Sequence, residues 1–248
     1  MKSIICDIDG VLLHDNTVIP GAERFINRVL EAGNPLLLLT NYPSQTPSDL
    51  QNRLEAGGIQ LTPNHFYTSA MATAAFLERQ DGRKAFVIGE GALTHELYRI
   101  GFTITDINPD FVIVGETHAY NWEMIQKASH FINLGARFVA TNPDVAGPKL
   151  QPACGALCAP IERITGKKPF YIGKPSAWIM RAALNQLDVH SEDTVIIGDN
   201  MNTDILAGIQ AGIETILVLT GFSQMKDLDQ FPYRPNHIFP AVDDIDIL

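Results

Sequence analysis

The sequence predicts an α/β fold in which a doubly wound parallel-sheet core carries a second, smaller α/β segment. Three observations predict it. Short apolar runs at residues 4–6, 36–39, 195–197 and 215–219 fit strands buried on both faces, as in a sheet covered by helices. Between them lie segments of helical period, such as Ala22, Phe25, Ile26, Val29 and Leu30. Polar residues follow several of the apolar runs directly, at the sheet edge where parallel α/β proteins bind ligands.

The first run continues into Asp7-Ile8-Asp9-Gly10-Val11. Residues i and i+2 of a strand share a face, so Asp7 and Asp9 are expected close together at its end, where Gly10 lets the chain turn. Residues 12–20 read as a loop or short hairpin. Pro20-Gly21 introduces the first helix, closed by Gly33. The strand at 36–39 ends in Thr40-Asn41, and Thr46-Pro47 opens a helix through Leu50 and Leu54 to Gly57-Gly58. A short strand at 66–69 and a helix to about residue 80 follow.

Asp81-Gly82 reads as a turn, and the domain boundary is placed there. Beyond it the alternation restarts, with strands at 86–88, 111–114 and 138–141 and helices at 91–100 and 122–134. A Pro/Gly-rich loop at 142–152 and a helix reaching Gly166 complete a segment of small-domain size. The chain resumes with Gly173-Lys174-Pro175, Pro175 suiting the first turn of a helix that buries Ile179, Ala182, Ala183 and Leu187. The strand at 195–197 ends in Gly198-Asp199-Asn200-Met201-Asn202-Thr203-Asp204. A helix to Gly212, the strand at 215–219 and a tail with one more strand and a helical turn finish the chain.

The 248 residues carry a formal net charge of −10, which argues against a nucleic-acid polymer or an anionic membrane as partner. A local cation can still reverse the field in one cleft and admit a small phosphorylated molecule. Three cysteines are too few for a disulfide framework and fit a reducing cytoplasm. Cys154 and Cys158 have helical metal-ligand spacing but no neighbouring His or third Cys, so they read as small core residues, as does Cys6. Seven histidines are scattered without metal spacing. No apolar run approaches a membrane span.

Asp7, Asp9, Asp199 and Asp204 all lie at or just beyond strand ends, and mutual repulsion in one crevice would force some to protonate. An oxygen-liganded divalent cation relieves this, Mg²⁺ being usual beside phosphates. Lys174 adds a fixed positive charge, and Thr40 and Asn41 add hydroxyl and amide donors. The set reads as parts of a phosphoryl-transfer site. A calcium loop fails, because the fifth and twelfth positions counted from Asp7 are Val11 and Val18.

These clusters resemble the four motifs of the haloacid dehalogenase superfamily. Asp7-Ile8-Asp9-Gly10-Val11 is similar to the first, Leu39-Thr40-Asn41 to the second, Gly173-Lys174-Pro175 to the third, and Gly198-Asp199 through Asp204 to the fourth. Over its whole length the chain is most similar to the NagD-type ribonucleotide monophosphatases. The resemblance implies a Rossmann-like catalytic core of residues 1–82 and 171–248, with residues 83–170 as an α/β cap that selects substrate. It implies Asp7 as nucleophile and Asp9 as acid/base. Mg²⁺, or Mn²⁺ or Co²⁺ in its place, would be held by Asp7, the Asp9 carbonyl and Asp199. Thr40, Asn41 and Lys174 would grip the phosphoryl oxygens, Asp204 would brace the metal site or Lys174, and Asn200, Met201, Asn202 and Thr203 would reach the substrate. In the cap, Cys154-Gly155-Ala156-Leu157-Cys158 replaces a glycine-rich turn of many relatives, so their leaving-group preference does not transfer.

The expected activity is a Mg²⁺-dependent, cytoplasmic phosphatase of small phosphomonoesters, UMP-like nucleotides first, working as a monomer or small homo-oligomer. Phosphoglycolate, sugar phosphates and pyridoxal phosphate are alternative substrates, and a phosphomutase or kinase-like transferase is a rival enzyme. A phospho-accepting receiver is the rival from another class. Receivers are about half this length and carry the acceptor on a middle strand.

Overall fold

The computed structural model describes residues 2–15 and 17–246. In chain order it contains β1 (Ser3–Cys6), β2 (Leu13–His14), β3 (Thr17–Val18), α1 (Ala22–Glu31), β4 (Leu36–Thr40), α2 (Pro47–Glu55), β5 (Phe66–Thr68) and α3 (Ser69–Glu78). Next come β6 (Lys84–Ile88), α4 (Gly91–Arg99), β7 (Thr103–Ile104), β8 (Phe111–Val114), α5 (Trp122–Asn133), β9 (Arg137–Ala140), α6 (Cys154–Thr165) and β10 (Phe170–Tyr171). The last part holds α7 (Ala177–Leu187), β11 (Thr194–Gly198), α8 (Leu206–Ala211), β12 (Glu214–Val218) and β13 (His237–Phe239). A 3₁₀ turn at Val242–Asp244 completes the expected tail, whose residues 247 and 248, like residue 16 of the first hairpin, lie outside the described residues.

The chain forms two compact units. One comprises the residues up to Thr40, Pro47–Tyr67 and the residues from Lys174 onward; the other comprises Asn41–Thr46 and Thr68–Gly173. The second unit therefore starts earlier than the boundary at Asp81-Gly82 that the turn signal suggests. The reason is that α3 packs on α4, and a turn between two mutually packed elements does not divide them.

In the first unit a six-stranded sheet runs in the order β13-β12-β11-β1-β4-β5. The central β1 is parallel to both neighbours, with Ile5 opposite Leu37 of β4 and Ile196 of β11. The chain winds outward from β1 through β4, returns at β11 and winds outward the other way through β12. Such a reversal leaves a crevice at the carboxyl ends of the central strands. Every residue of β1, β4 and β11 is buried, which is why these strands read as unbroken apolar runs. Phe25, Ile26 and Val29 of α1 pack against Ile4, Leu38 and Ile197, whereas Leu30, on the expected apolar stripe, is turned outward.

Helix α7 departs from expectation at its start. Ser176 is the N-cap, its side chain accepting from the Trp178 N–H, and Pro175 lies outside the helix after a cis Lys174–Pro175 bond. The helix buries Ile179, Met180 and Ala183, with Ala182 and Leu187 only half-buried.

The second unit carries a five-stranded sheet in the order β10-β9-β8-β6-β7, and its ladders are parallel too. β7 is an edge strand of two residues, too short to show any alternation in sequence. Cys154 and Cys158 lie fully buried in α6 among Val112, Phe131 and Ile161, so they are core residues as expected. The Cys154-Gly155-Ala156-Leu157-Cys158 segment is thus the start of a helix. Among the described residues no helix is long and apolar enough to cross a membrane.

Candidate active site

The site begins where β1 ends. The Asp7 N–H still donates to the Ile197 carbonyl, at 2.9 Å, continuing the ladder with β11 and fixing where the Asp7 carboxylate leaves the sheet. The chain then turns. Gly10 has φ +86° and its N–H donates to the Leu13 carbonyl at 2.7 Å. A Cβ at Gly10 would fall 2.3 Å from Asp199 Oδ2, and one at Gly221 would fall 2.0 Å from the same oxygen. Two glycines therefore make room for one carboxylate.

Lys174 joins the remaining strand ends. Its buried ammonium donates to Asp7 Oδ1 at 2.5 Å, Asp204 Oδ1 at 2.7 Å and the Leu39 carbonyl at 3.0 Å. These three acceptors match the three donors of an ammonium. The other Asp204 oxygen accepts from the Asn200 N–H and the Thr203 hydroxyl, both at 3.2 Å. Asp204 is thus consumed in holding Lys174, which is how it braces the site. Asp199 is held differently: its Oδ2 accepts from the Phe222 N–H at 2.6 Å and its carbonyl accepts from the Ser223 N–H at 3.0 Å.

Burial dominates the electrostatics. It pushes the Asp7 carboxyl well above the usual carboxylate range, Lys174 opposing and Asp204 and Asp199 adding to the effect. Burial, then Asp204, pushes Asp199 up to about 7. Burial works to lower the Lys174 ammonium, but Asp204 and Asp7 outweigh it and hold it above its ordinary range. Carboxylate oxygens of Asp7, Asp199 and Asp204 lie within 4.8 Å of one another. Three buried carboxylates against one ammonium form an oxygen-donor set short of positive charge, and a hard divalent cation fits it.

The sequence-derived residues separate here. Asp7, Lys174, Asp199 and Asp204 converge, and Thr40 is buried at the end of β4. Asp9 does not share a strand face with Asp7, because β1 stops at Cys6 and Asp9 enters the turn. Its Oδ1 accepts from Arg53 Nη2 of α2 at 2.7 Å. The Asn41 side chain is turned to Asp144, donating to Oδ2 at 2.8 Å. Of the residues expected to reach the substrate, Met201 is buried with Ile205, Leu217 and Leu228, and Thr203 is spent on Asp204. Asn200 caps the wide helical turn Met201–Ile205 by accepting from the Asn202 N–H, leaving the Asn202 side chain exposed. In the turn that lets Asp204 face Lys174, the Met201 and Thr203 side chains point inward.

Sequence reasoning missed Arg53, Gly221, Phe222 and Ser223. Arg53 lies late in a helix, and Gly221, Phe222 and Ser223, just beyond β12, carry no charged side chain; Phe222 and Ser223 hold Asp199 through backbone N–H groups, which leave no trace in residue type.

The pattern described as haloacid dehalogenase-like hydrolase matches residues 4–103, and the one described as HAD-hydrolase-like matches residues 171–245. The ribonucleotide monophosphatase NagD of Escherichia coli K12 is 62% identical over all of this chain and 99% of its own length. Its solved structure superposes with a TM-score of 0.97 over 100% of this chain and 99% of that one. The dihydroxyacetone phosphatase of Corynebacterium glutamicum is 44% identical over 98% of this chain and 90% of its own. The p-nitrophenyl phosphatase structure from Archaeoglobus fulgidus has a TM-score of 0.92 at 32% identity, covering 98% of this chain and 97% of that one. The chain belongs to the haloacid dehalogenase-like hydrolases, among the NagD-type phosphatases.

Proposed function

We propose that the chain is a divalent-cation-dependent phosphatase of small phosphomonoesters, nucleoside monophosphates of the UMP type first, acting through an aspartyl-phosphate on Asp7. The observation that carries this reading is the buried Lys174 ammonium shared between Asp7 and Asp204, with Asp199 within 4.8 Å. Mg²⁺, or Mn²⁺ or Co²⁺ in its place, would be held by Asp7, the Asp9 carbonyl and Asp199, where it would neutralise phosphoryl-oxygen charge.

An Asp7 carboxylate oxygen bonds to phosphorus as the ester P–O bond breaks. The bonding pair stays on the leaving oxygen, which takes the proton of the Asp9 carboxyl. Water then attacks phosphorus, gives its proton to the Asp9 carboxylate and releases Asp7 with inorganic phosphate. Lys174 holds Asp7 in place and offers fixed charge to the phosphoryl oxygens, with Thr40 and the backbone at Asn41 as further donors. The insert expected at 83–170 is assigned leaving-group selection. Three unpaired cysteines fit work on cytoplasmic metabolites.

Substrate preference follows the 62% identical relative, named as a ribonucleotide monophosphatase. A triose or sugar phosphate is the second reading, favoured by the dihydroxyacetone phosphatase at 44%. The test is phosphate release from p-nitrophenyl phosphate, a nucleoside monophosphate panel and dihydroxyacetone phosphate, with and without Mg²⁺. Asp7→Asn should lose turnover by ~10⁴-fold or more and incorporate no phosphate, with an unchanged far-ultraviolet spectrum. A variant retaining most activity would remove Asp7 from the nucleophile role.

A further inference from the structure

We infer that Arg53 is a positioning residue for the acid/base carboxyl of Asp9. The inference rests on the phosphatase reading above and adds a residue from outside the four motif-like clusters. Arg53 lies in the last turn of α2, where a basic side chain suits the negative end of the helix. That preference accounts for a cation at this position but not for its contacts. The Nη2 group donates to Asp9 Oδ1 at 2.7 Å and also to the Asp15 carbonyl, in the hairpin between β2 and β3. The Arg53 side chain is only 15% exposed, while that of Asp9 is 38% exposed. The guanidinium is therefore the fixed partner and the carboxyl is the group facing outward.

Asp9 needs such a partner. It stands in the turn after β1, bridged to Leu13 through the backbone, and a proton donor must sit within hydrogen-bond reach of the leaving oxygen. Arg53 engages Oδ1, and among the described residues Oδ2 accepts no hydrogen bond. The carboxyl is thus held by one oxygen and offered by the other. Because one Nη2 serves both Asp9 and Asp15, the turn after the nucleophile strand and the hairpin are set by the same planar group.

The leaving group provides the test. p-Nitrophenolate departs without a proton, whereas the alkoxide of a nucleoside 5′-monophosphate needs one. In single turnover with excess enzyme and saturating Mg²⁺, Arg53→Met should slow nucleoside release from UMP by roughly 10²-fold. Release of p-nitrophenolate should slow by only about threefold, the aryloxide being indifferent to the acid. Arg53→Lys should recover most of the loss on UMP. A purely structural role would slow both substrates by the same factor, and equal losses, or no loss on UMP, would overturn the inference. If the methionine variant does not fold, Arg53→Gln is read by the same ratio. An unsubstituted enzyme that releases neither product would instead overturn the phosphatase reading itself.

Discussion

The two units build the same kind of sheet twice and put different chemistry at its edge. Both sheets are parallel, and in both the strand order reverses beside a central strand. At the carboxyl ends of the first stand Asp7, Lys174, Asp199 and Asp204, buried and charged. Beyond β8 and β9 of the second stand Glu116, Thr141, Asn142 and Asp144. There the Asn142 amide donates to Asp144 at 2.8 Å and Glu116 at 3.2 Å, and Thr141 donates to Asn142 at 2.7 Å. In that cluster the Asn142 amide serves both carboxylates, and its own oxygen accepts from the Thr141 hydroxyl. The lesson is that a topological switch point supplies only a place for a site; the side chains there decide whether it is reactive or merely satisfied.

The largest expected effect that sharpens this contrast is on the cation. Gly221→Ala would set a methyl 2.0 Å from Asp199 Oδ2 and displace that carboxylate. Half-maximal activation should then need roughly 10–100-fold more Mg²⁺, with Mg²⁺ titration of phosphate release as the readout. An unchanged titration would mean that Asp199 is not a ligand.

A smaller effect concerns pH. A carboxyl raised in the folded protein binds its proton more tightly than in the unfolded chain, so its contribution to stability falls as pH rises from the ordinary carboxyl range to about 7. Metal-free protein should therefore lose stability over that window relative to Asp199→Asn, and Mg²⁺ should flatten the difference. Denaturant melts at several pH values measure it, and parallel curves for the two proteins would contradict the burial argument. The smallest effect belongs to the second unit. Glu116→Gln should leave p-nitrophenyl phosphate turnover within about threefold, since it keeps a hydrogen-bond acceptor for the Asn142 amide and no step of the proposed reaction uses Glu116. A loss comparable to that of Gly221→Ala would erase the distinction between the two clusters.

The sequence showed the parts of the site that ride on strands. Unbroken apolar runs located β1, β4 and β11, and the residue after each run was the useful one: Asp7, Thr40 with Asn41, Asp199. It did not show Arg53, because an arginine late in an amphipathic helix is ordinary, and only the turn after β1 brings Asp9 to it. It did not show that Asn41 turns to Asp144, a partner about a hundred residues on. Nor did it separate Met201 from Asn202, since the wide turn at Met201–Ile205 changes which side chains face inward without changing the motif. The second unit's early start had the same origin, the packing of α3 on α4 being invisible to a turn signal.

The central position of β1 has a further consequence, for the order in which the molecule can assemble. The strand emerges first, yet Ile5 pairs with Ile196, about 190 residues later. At synthesis rates of about 5–20 residues per second, the nucleophile strand waits roughly 10–40 s for that side of its ladder. During that time an apolar strand has one edge open, the state most prone to pairing with another chain. The second unit, nearly contiguous from Thr68 to Gly173, carries no such delay. Newly made chains should therefore depend on holding chaperones until β11 appears, and truncations ending before Thr194 should aggregate.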